Sequence, residues 1–303
     1  MNTNQGTINS RKIAIFLIIT FILAIVVGSI PALLKLEWQG STAAVIGVIY
    51  MLFPALTAIF VQKVLYHEPV IEPLKVSFKL NKWFALAWIL PVLLALAAIP
   101  VETLFPGVSY SPDMAGMVER YRDTLTAEQL AEIERSIQQM PVHPVLLAIV
   151  SGMIAGITVN ALAAFGEELG WRGFLLREFK ALGFARASLF IGIIWGLWHA
   201  PLILQGHNYP QHPVAGVFMM ILFCLLLTPL LNYVTLKAQS VIAAAIMHGT
   251  LNGTVGIAIM MVKGGSDLTI GLTGAAGLIT LLIANVVLYI ATGGYRSIKY
   301  SED

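Results

Sequence analysis

Two adjacent carboxylic acids, Glu167 and Glu168, stand inside an apolar run that begins near Pro144. Ionisable side chains in such a run are costly, and they persist mainly where they are paired or carry a function. Glu168 and Arg172 are four residues apart, so on a helix they share one face in the favourable acid-before-base order. Glu167 points to a different side of that helix. We therefore expect Glu168 and Arg172 to form a structural pair, which leaves Glu167 available as a general base.

Three later polar residues extend this constellation. His199 lies near the end of a following apolar run, and Trp195 lies one helical turn before it. His248 and Asn252 are four residues apart in a further apolar run, so a helix places them on the same face. A carboxylate and an imidazole can share the proton of a bound water, which is general acid–base chemistry. The alternative for each histidine is a hydrogen-bonded packing role.

The depth of these residues follows from the turn between two apolar runs. Glu167 lies sixteen residues before Gly183 and His199 lies sixteen after it, so an antiparallel hairpin that turns there puts both at one level. At 1.5 Å per residue, both lie roughly 10–15 Å inside the bilayer, and His248 lies about 12 Å inside. We therefore expect these three side chains to form a functional site in one layer beneath the cytoplasmic face.

Other intramembrane hydrolases carry different sequence patterns. The chain has no H-E-x-x-H zinc motif and no G-x-S-x-G elbow for a serine nucleophile. No aspartate lies within a predicted span, which excludes a protease with paired aspartates. The remaining hydrolytic chemistry is a water molecule activated by glutamate, with or without a metal ion.

The composition indicates which elements must position these residues. Of 303 residues, 58% are hydrophobic and 11% are charged, and the mean hydropathy is +0.83. A soluble chain of this length needs far more charge, so we expect an all-α, polytopic membrane bundle. About eight apolar runs are long enough to span a bilayer, near residues 13–34, 43–65, 83–101, 144–165, 184–204, 214–233, 240–262 and 271–292. The single cysteine, Cys224, excludes an intramolecular disulfide framework.

The distribution of positive charge predicts the orientation. With a cytoplasmic N-terminus, thirteen Lys and Arg residues fall in inside segments and five in outside segments, namely Lys35, Arg120, Arg122, Arg135 and Lys263. This split follows the positive-inside rule and predicts a multi-pass protein of the cell membrane with both termini cytoplasmic. The segment 102–143 is the one large polar excursion, and a capping box at Thr126 favours short amphipathic helices there, on the outer face. We expect 1–143 and 144–303 to form one integrated domain, with the chemistry in the second part.

The motifs at these positions resemble the CPBP family, the CAAX-protease and bacteriocin-processing (Abi) intramembrane proteases, which are related to type II CAAX prenyl endopeptidases. The family pattern is E-E-x-x-x-R, then F-x-x-x-H, then H-x-x-x-N. Here the first motif reads E-E-L-G-W-R at 167–172 and the third reads H-G-T-L-N at 248–252. The second motif ends on His199 but has Trp195 where phenylalanine is usual, which we interpret as a packing variation. The resemblance covers roughly residues 150–260.

The resemblance implies an intramembrane endopeptidase that cleaves near the cytoplasmic face. It assigns Glu167 and His199 to activation of the attacking water, and His248 and Asn252 to stabilisation of the oxyanion. The residues that support this site would be Glu168, Arg172 and Trp195. One glutamate and two histidines, Glu167, His199 and His248, are also the ligand set of a divalent zinc-like ion, and the family has been classed with the metalloproteases. The pairing of Glu168 with Arg172 favours metal-independent glutamate chemistry.

The resemblance also indicates the partners. They would be a peptide or protein substrate, lipidated or membrane-associated in some relatives, together with the lipid bilayer and without nucleic acid. We further expect a conical cavity that is narrow at Glu167 and open to the cytoplasm, because water and a peptide must reach that depth. One alternative is a non-catalytic membrane adaptor or bacteriocin-immunity protein in which the Glu and His cluster is structural. A proton-coupled carrier is a second alternative, although the inverted repeats typical of carriers are absent from the sequence.

Overall fold

The computed structural model describes residues 8–38, 40–120 and 125–300, so the predicted outside residue Arg122 lies outside the described part. Almost all regular structure in this part is helical. The α-helices are α1 Ser10–Gly28, α2 Ile30–Leu34, α3 Gly40–Ile59, α4 Lys82–Glu102, α5 Ala115–Arg120, α6 Ala127–Gln139, α7 Pro144–Gly156, α8 Val159–Glu168, α9 Leu176–Glu178, α10 Gly183–Trp198, α11 Ala200–Ile203, α12 Pro213–Ala238, α13 Val241–Thr254, α14 Ile257–Met260 and α15 Ala275–Ala291. Two π-helical segments, Phe60–Leu65 and Leu169–Leu175, continue α3 and α8. The strands β1 Ser109–Tyr110 and β2 Val262–Lys263 form one antiparallel ribbon.

Six helical segments among the described residues are long and apolar enough to cross a membrane: Ser10–Leu34, Gly40–Leu65, Lys82–Glu102, Lys180–Ile203, Pro213–Ala238 and Val241–Met260. The predicted all-α polytopic fold and the integral, multi-pass membrane character are therefore confirmed. The two other predicted runs are shorter than expected. The run at 144–165 is interrupted at Ile157 and Thr158, where the backbone leaves the helical region between α7 and α8. The last run folds as α15, which has 17 residues.

The bundle has two distinct ends, about 30 Å apart, because α4 runs from one to the other and its 21 residues rise 1.5 Å each. At what we call the basic end, Lys12 forms ion pairs with Glu68 at 2.8 Å and with Glu178 at 3.1 Å. Arg177 also pairs with Glu68, at 3.0 Å. Segments predicted to share the inside face therefore meet at one end of the molecule.

The opposite end, called the far end below, carries the ribbon, α5 and α6. The predicted capping box at Thr126 is present at the start of α6. Arg120, at the end of α5, donates to the carbonyl oxygen of Gly264 at 3.1 Å. Asp267 accepts from the backbone N–H of Gln211 at 2.7 Å. The described parts of the segment 102–143, residues 102–120 and 125–143, thus lie with the other loops that the charge distribution places outside.

Close backbone packing around α8 positions the site. A Cβ atom on Gly166 would lie 2.5 Å from the carbonyl oxygen of Met51 in α3. On the other side, a Cβ atom on Gly249 in α13 would lie 2.6 Å from the backbone nitrogen of Ala161. Small residues of this kind let membrane helices approach one another closely. The carboxylate of Glu168 at the end of α8 consequently reaches the side chain of His248 on α13.

Candidate active site

Glu168 is the centre of a buried charged network. Its Oε1 accepts hydrogen bonds from Arg172 Nη1 at 3.1 Å and from His248 Nδ1 at 2.7 Å, and the side chain is fully buried. The predicted pair of Glu168 with Arg172 is therefore confirmed. The bond to His248 was not predicted, because helical spacing does not relate residues on two different helices. Since a carboxylate only accepts, His248 Nδ1 is the donor, and Nε2 is the ring nitrogen left for a substrate.

Arg172 links this network to its surroundings. Its Nη2 donates to Thr228 Oγ1 at 3.1 Å, and its guanidinium carbon lies 4.2 Å from the centre of the Trp195 ring. A guanidinium over an indole face is attracted by the ring quadrupole, most strongly when both groups are dry. Arg172 lies in the π-helical segment that follows α8, and such segments are frequent at functional sites. Arg172 thus both balances Glu168 and orients Trp195.

Glu167 has a different partner from its neighbour. Its Oε2 accepts a hydrogen bond from Trp195 Nε1 at 2.7 Å, and 3% of the residue is exposed. The interpretation of Trp195 as a packing variation is therefore incomplete, because a phenylalanine at this position has no N–H to donate. The signal that could have found this contact is general: a buried tryptophan usually finds an acceptor for its N–H.

His199 follows the last residue of α10 and is held through one ring nitrogen. Its Nδ1 lies 2.8 Å from the carbonyl oxygen of Trp195, and Cys224 Sγ lies 3.9 Å from the same nitrogen. A carbonyl only accepts, so Nδ1 carries the proton and Nε2 has a lone pair. Within the described residues, Nε2 has no hydrogen-bond partner. This nitrogen is therefore suited to accept a proton or a hydrogen bond from water.

All four predicted catalytic side chains line one cavity of about 320 Å³: Glu167, His199, His248 and Asn252. The side chain of Asn252 is exposed, on the same face of α13 as His248. Tyr50 of α3 also lines the cavity, and its hydroxyl donates to the carbonyl oxygen of Trp198 at 2.5 Å. Sequence reasoning missed Tyr50, because a single tyrosine on an apolar helix has no distinguishing spacing.

The cavity lies toward the far end of the bundle and not toward the basic end, and its expected opening to the cytoplasm remains a prediction. The cavity is lined on its other side by residues of the far end, Asn208, Val255 and Thr273. At the basic end a cleft of about 30 Å³ reaches Arg172 but not Glu167. The reason is aromatic packing, because Phe16, Trp171 and Phe174 are fully buried there and the rings of Phe16 and Phe174 stack at 4.6 Å.

The side chains do not form a metal centre. Among the described residues, no three His, Cys, Asp or Glu side chains are grouped so that they could hold a metal ion. Glu167, His199 and His248, the ligand set considered from the sequence, are therefore not grouped closely enough to hold one, although each keeps a free polar atom. These residues do not fit a metal ion in this arrangement.

Comparison with known proteins gives a family match for the segment that carries this site. Together, the fold and the cavity define a polytopic helical membrane protein with a buried glutamate–histidine site. Residues 139–254, which include the four predicted catalytic residues, match the family described as type II CAAX prenyl endopeptidase Rce1-like. The chain is 35% identical over 98 residues to a CAAX prenyl protease 2 of Methanococcus maripaludis, and the aligned stretch covers 30% of this chain and 36% of that protein. Over this segment the chain is therefore similar to the CAAX-protease family, and it spans little more than a third of the length of the curated relative it matches.

Proposed function

We propose that this protein is an intramembrane endopeptidase in which Glu167 and His199 activate the attacking water. One observation carries the proposal: both side chains line a single cavity, and each is held by one bond that leaves its other polar atom available. A glutamate in the membrane interior that had only a structural role would be expected to have a charged partner, as Glu168 has. Glu167 instead has one neutral donor, Trp195, and a cavity on its other side.

The chemical step needs no group beyond these residues and water. A water molecule between Glu167 and His199 Nε2 attacks the carbonyl carbon of the peptide bond and transfers a proton to the Glu167 carboxylate. The tetrahedral intermediate then collapses, the C–N bond breaks, and Glu167 returns that proton to the leaving nitrogen. The products are a new amine and a new carboxylic acid, which releases its proton to water as it ionises. A positioned acid–base group of this kind typically contributes about 100- to 10,000-fold in rate.

His248 and Asn252 are suited to stabilise the oxyanion. Asn252 has an amide N–H₂ that can donate to the developing negative charge. His248 can donate through Nε2 only when both ring nitrogens carry protons. Glu167 and Glu168 bring two negative charges and Arg172 one positive charge, so a protonated His248 makes the group neutral overall. Uncompensated buried charge is costly, which supports this protonation state in the resting site.

We propose a peptide or protein substrate presented at the membrane, and a location in the cell membrane with both termini cytoplasmic. The match to prenyl endopeptidases makes lipidated proteins one class to test. The apolar helix surfaces that surround the cavity can retain an attached lipid or an apolar segment while the peptide bond reaches Glu167. The charge distribution between the two ends supports the orientation.

The proposal is tested with a peptide library, in prenylated and unmodified form, presented to the purified protein in detergent. We expect wild-type protein to release defined products, detected by mass spectrometry, and Glu167→Gln to release none. Glu128→Gln, an exposed glutamate of α6, is the matched control and should cleave like wild type. Equal product formation by Glu167→Gln and wild type contradicts the mechanism. No cleavage of any peptide by wild-type protein, with both variants folded, favours the non-catalytic adaptor.

A further inference from the structure

A group of two lysines and two aromatic residues lies at the basic end, where α4 begins and α12 ends. Lys82 and Trp83 begin α4, and Tyr233 and Lys237 belong to the last turns of α12. We call these four residues the lysine–aromatic patch. We propose that the patch binds the phosphate headgroup of an anionic phospholipid. None of its residues lines the active-site cavity, so this binding is independent of the proposed peptidase function.

Each lysine of the patch lies over an aromatic ring. Lys82 Nζ is 5.4 Å from the centre of the Trp83 ring, and Lys237 Nζ is 5.6 Å from the centre of the Tyr233 ring. The two rings pack edge-on, with their centres 5.4 Å apart and their planes at 89° to each other. The four side chains therefore form one continuous group across the contact between α4 and α12.

The positive charges of the patch have no negative partner. Lys12 and Arg177, which also lie at the basic end, are each paired with Glu68. Lys82 and Lys237 are exposed, and among the described residues no Asp or Glu forms an ion pair with either of them. A ring attracts a cation through its quadrupole but does not neutralise its charge. The patch therefore keeps two positive charges that a phosphate group can balance.

The two rings add hydrogen-bond donors to these charges. Trp83 and Tyr233 are half-buried, and among the described residues neither the indole N–H nor the phenol hydroxyl has a hydrogen-bond partner. Tryptophan and tyrosine are enriched where a membrane meets water, because an apolar ring with a polar tip suits that boundary. Phosphate oxygens accept hydrogen bonds from ammonium, indole and phenol donors alike. The patch thus has the chemistry of a headgroup site at the membrane surface.

Two large apolar side chains lie exposed in the segment that leads into α4. Phe78 is 75% exposed and Leu80 is 76% exposed. The next residue, Asn81, donates from Nδ2 to the carbonyl oxygen of Ala238 at 3.0 Å, so the segment lies beside the end of α12. Exposure of such side chains to water is unfavourable, whereas the apolar part of a lipid bound at the patch would cover them. These residues favour a phospholipid over a soluble phosphate.

The same segment also contacts the turn between α12 and α13. The backbone N–H of Val241 donates to the carbonyl oxygen of Lys75 at 2.9 Å, and Ser240 Oγ donates to the carbonyl oxygen of Ser77. A lipid that joins α4 to α12 therefore also stabilises the start of α13, the helix that carries His248. A ligand that binds only the folded protein raises its melting temperature.

The test compares three ligands on the purified full-length protein in detergent. Phosphatidylglycerol, phosphatidylcholine and inorganic phosphate are added separately, bound lipid is counted by native mass spectrometry, and the melting temperature is measured. We expect phosphatidylglycerol to bind and to raise the melting temperature. Phosphatidylcholine should bind more weakly, because its headgroup carries no net charge. Inorganic phosphate should leave the melting temperature unchanged, because it covers no apolar surface.

The double variant Lys82→Gln with Lys237→Gln removes both charges of the patch. A positive charge near an anionic membrane surface contributes about fivefold in affinity, so we expect the dissociation constant for phosphatidylglycerol to rise by about 25-fold. The matched control is Lys63→Gln with Arg186→Gln, which removes two other exposed positive charges at the basic end. Neither of these residues lies over an aromatic ring, so the control should bind phosphatidylglycerol like wild type.

A second double variant, Phe78→Ser with Leu80→Ser, separates a lipid from a soluble anion because it retains both charges. It changes only exposed side chains, so its melting temperature without lipid should stay near that of wild type while its affinity for phosphatidylglycerol falls. Three results would overturn the proposal. They are wild-type affinity for phosphatidylglycerol in the lysine variant, an equal loss of affinity in the matched control, and an equal rise of the melting temperature with inorganic phosphate.

Discussion

Replacing Trp195 by phenylalanine, the residue usual in related motifs, tests the role of the indole N–H. The change removes the 2.7 Å hydrogen bond to Glu167 Oε2 and retains an aromatic ring beside Arg172. A hydrogen bond to a charged group contributes about 1.5–3 kcal/mol. If this bond positions Glu167 in the transition state, its loss lowers kcat/KM by about 10- to 150-fold, since about 1.36 kcal/mol is one factor of ten.

The assay is the initial rate of peptide cleavage in detergent for wild type, Trp195→Phe and a matched control. Trp171→Phe is that control, because Trp171 is equally buried and its Nε1 has no partner among the described residues. Both variants lose the same volume, but only Trp195→Phe loses a hydrogen bond to Glu167. We expect the larger loss of kcat/KM in Trp195→Phe, with KM little changed. Equal losses in the two variants would refute the positioning role.

Three further predictions concern the charged groups. Glu168→Gln should lower the free energy of unfolding by about 3–5 kcal/mol, because it leaves Arg172 buried without its counter-ion. Thermal denaturation in detergent measures this loss. An equal loss of stability in Glu167→Gln would contradict the different roles of the two glutamates. Asn252→Ala should retain weak peptidase activity, about 100- to 1,000-fold below wild type, which is the usual effect of losing one oxyanion donor. Either complete loss of activity or full activity would contradict the role of Asn252 as an oxyanion donor. At the basic end, partial burial raises the pKa of Glu68. Hydrogen bonds and positive charge from Lys12 and Arg177 together lower this pKa by more, so it lies below the ordinary value. The stability that Glu68 contributes is then present at neutral pH and is lost as the pH falls through this lowered pKa. Lys12→Met should reduce the loss of stability at acid pH, measured as the melting temperature against pH. A profile equal to that of wild type would refute the contribution of Lys12 to the pKa of Glu68.

The sequence predicted those features that depend on spacing within one element. The pair of Glu168 and Arg172, the shared face of His248 and Asn252, and the capping box at Thr126 each follow from helical periodicity. The positions of six spans followed from the length of apolar runs. These features depend on residues within one helix or one apolar run, so they can be predicted without knowing how the helices pack against one another.

The remaining features depend on contacts between elements, which periodicity does not describe. The bond from Trp195 to Glu167 joins α10 to α8, and the bond from His248 to Glu168 joins α13 to α8. The interruption at Thr158 lies in an apolar run that hydropathy treats as continuous. The direction of the cavity depends on how the rings of Phe16 and Trp171 pack below the site. Hydropathy scores these residues as apolar wherever they lie, so it does not distinguish a filled end from an open one.

The two adjacent glutamates illustrate how one short motif supplies both a framework and a reactive group. Successive residues on a helix point about 100° apart, so Glu167 and Glu168 face different neighbours although they are adjacent in the chain. Glu168 accepts from Arg172 and His248, both through Oε1, and its side chain is fully buried. Glu167 accepts from one neutral indole and faces the cavity. A hydrogen bond from a charged partner would stabilise the carboxylate of Glu167 and weaken it as a base, so the neutral Trp195 orients the group while preserving its basicity.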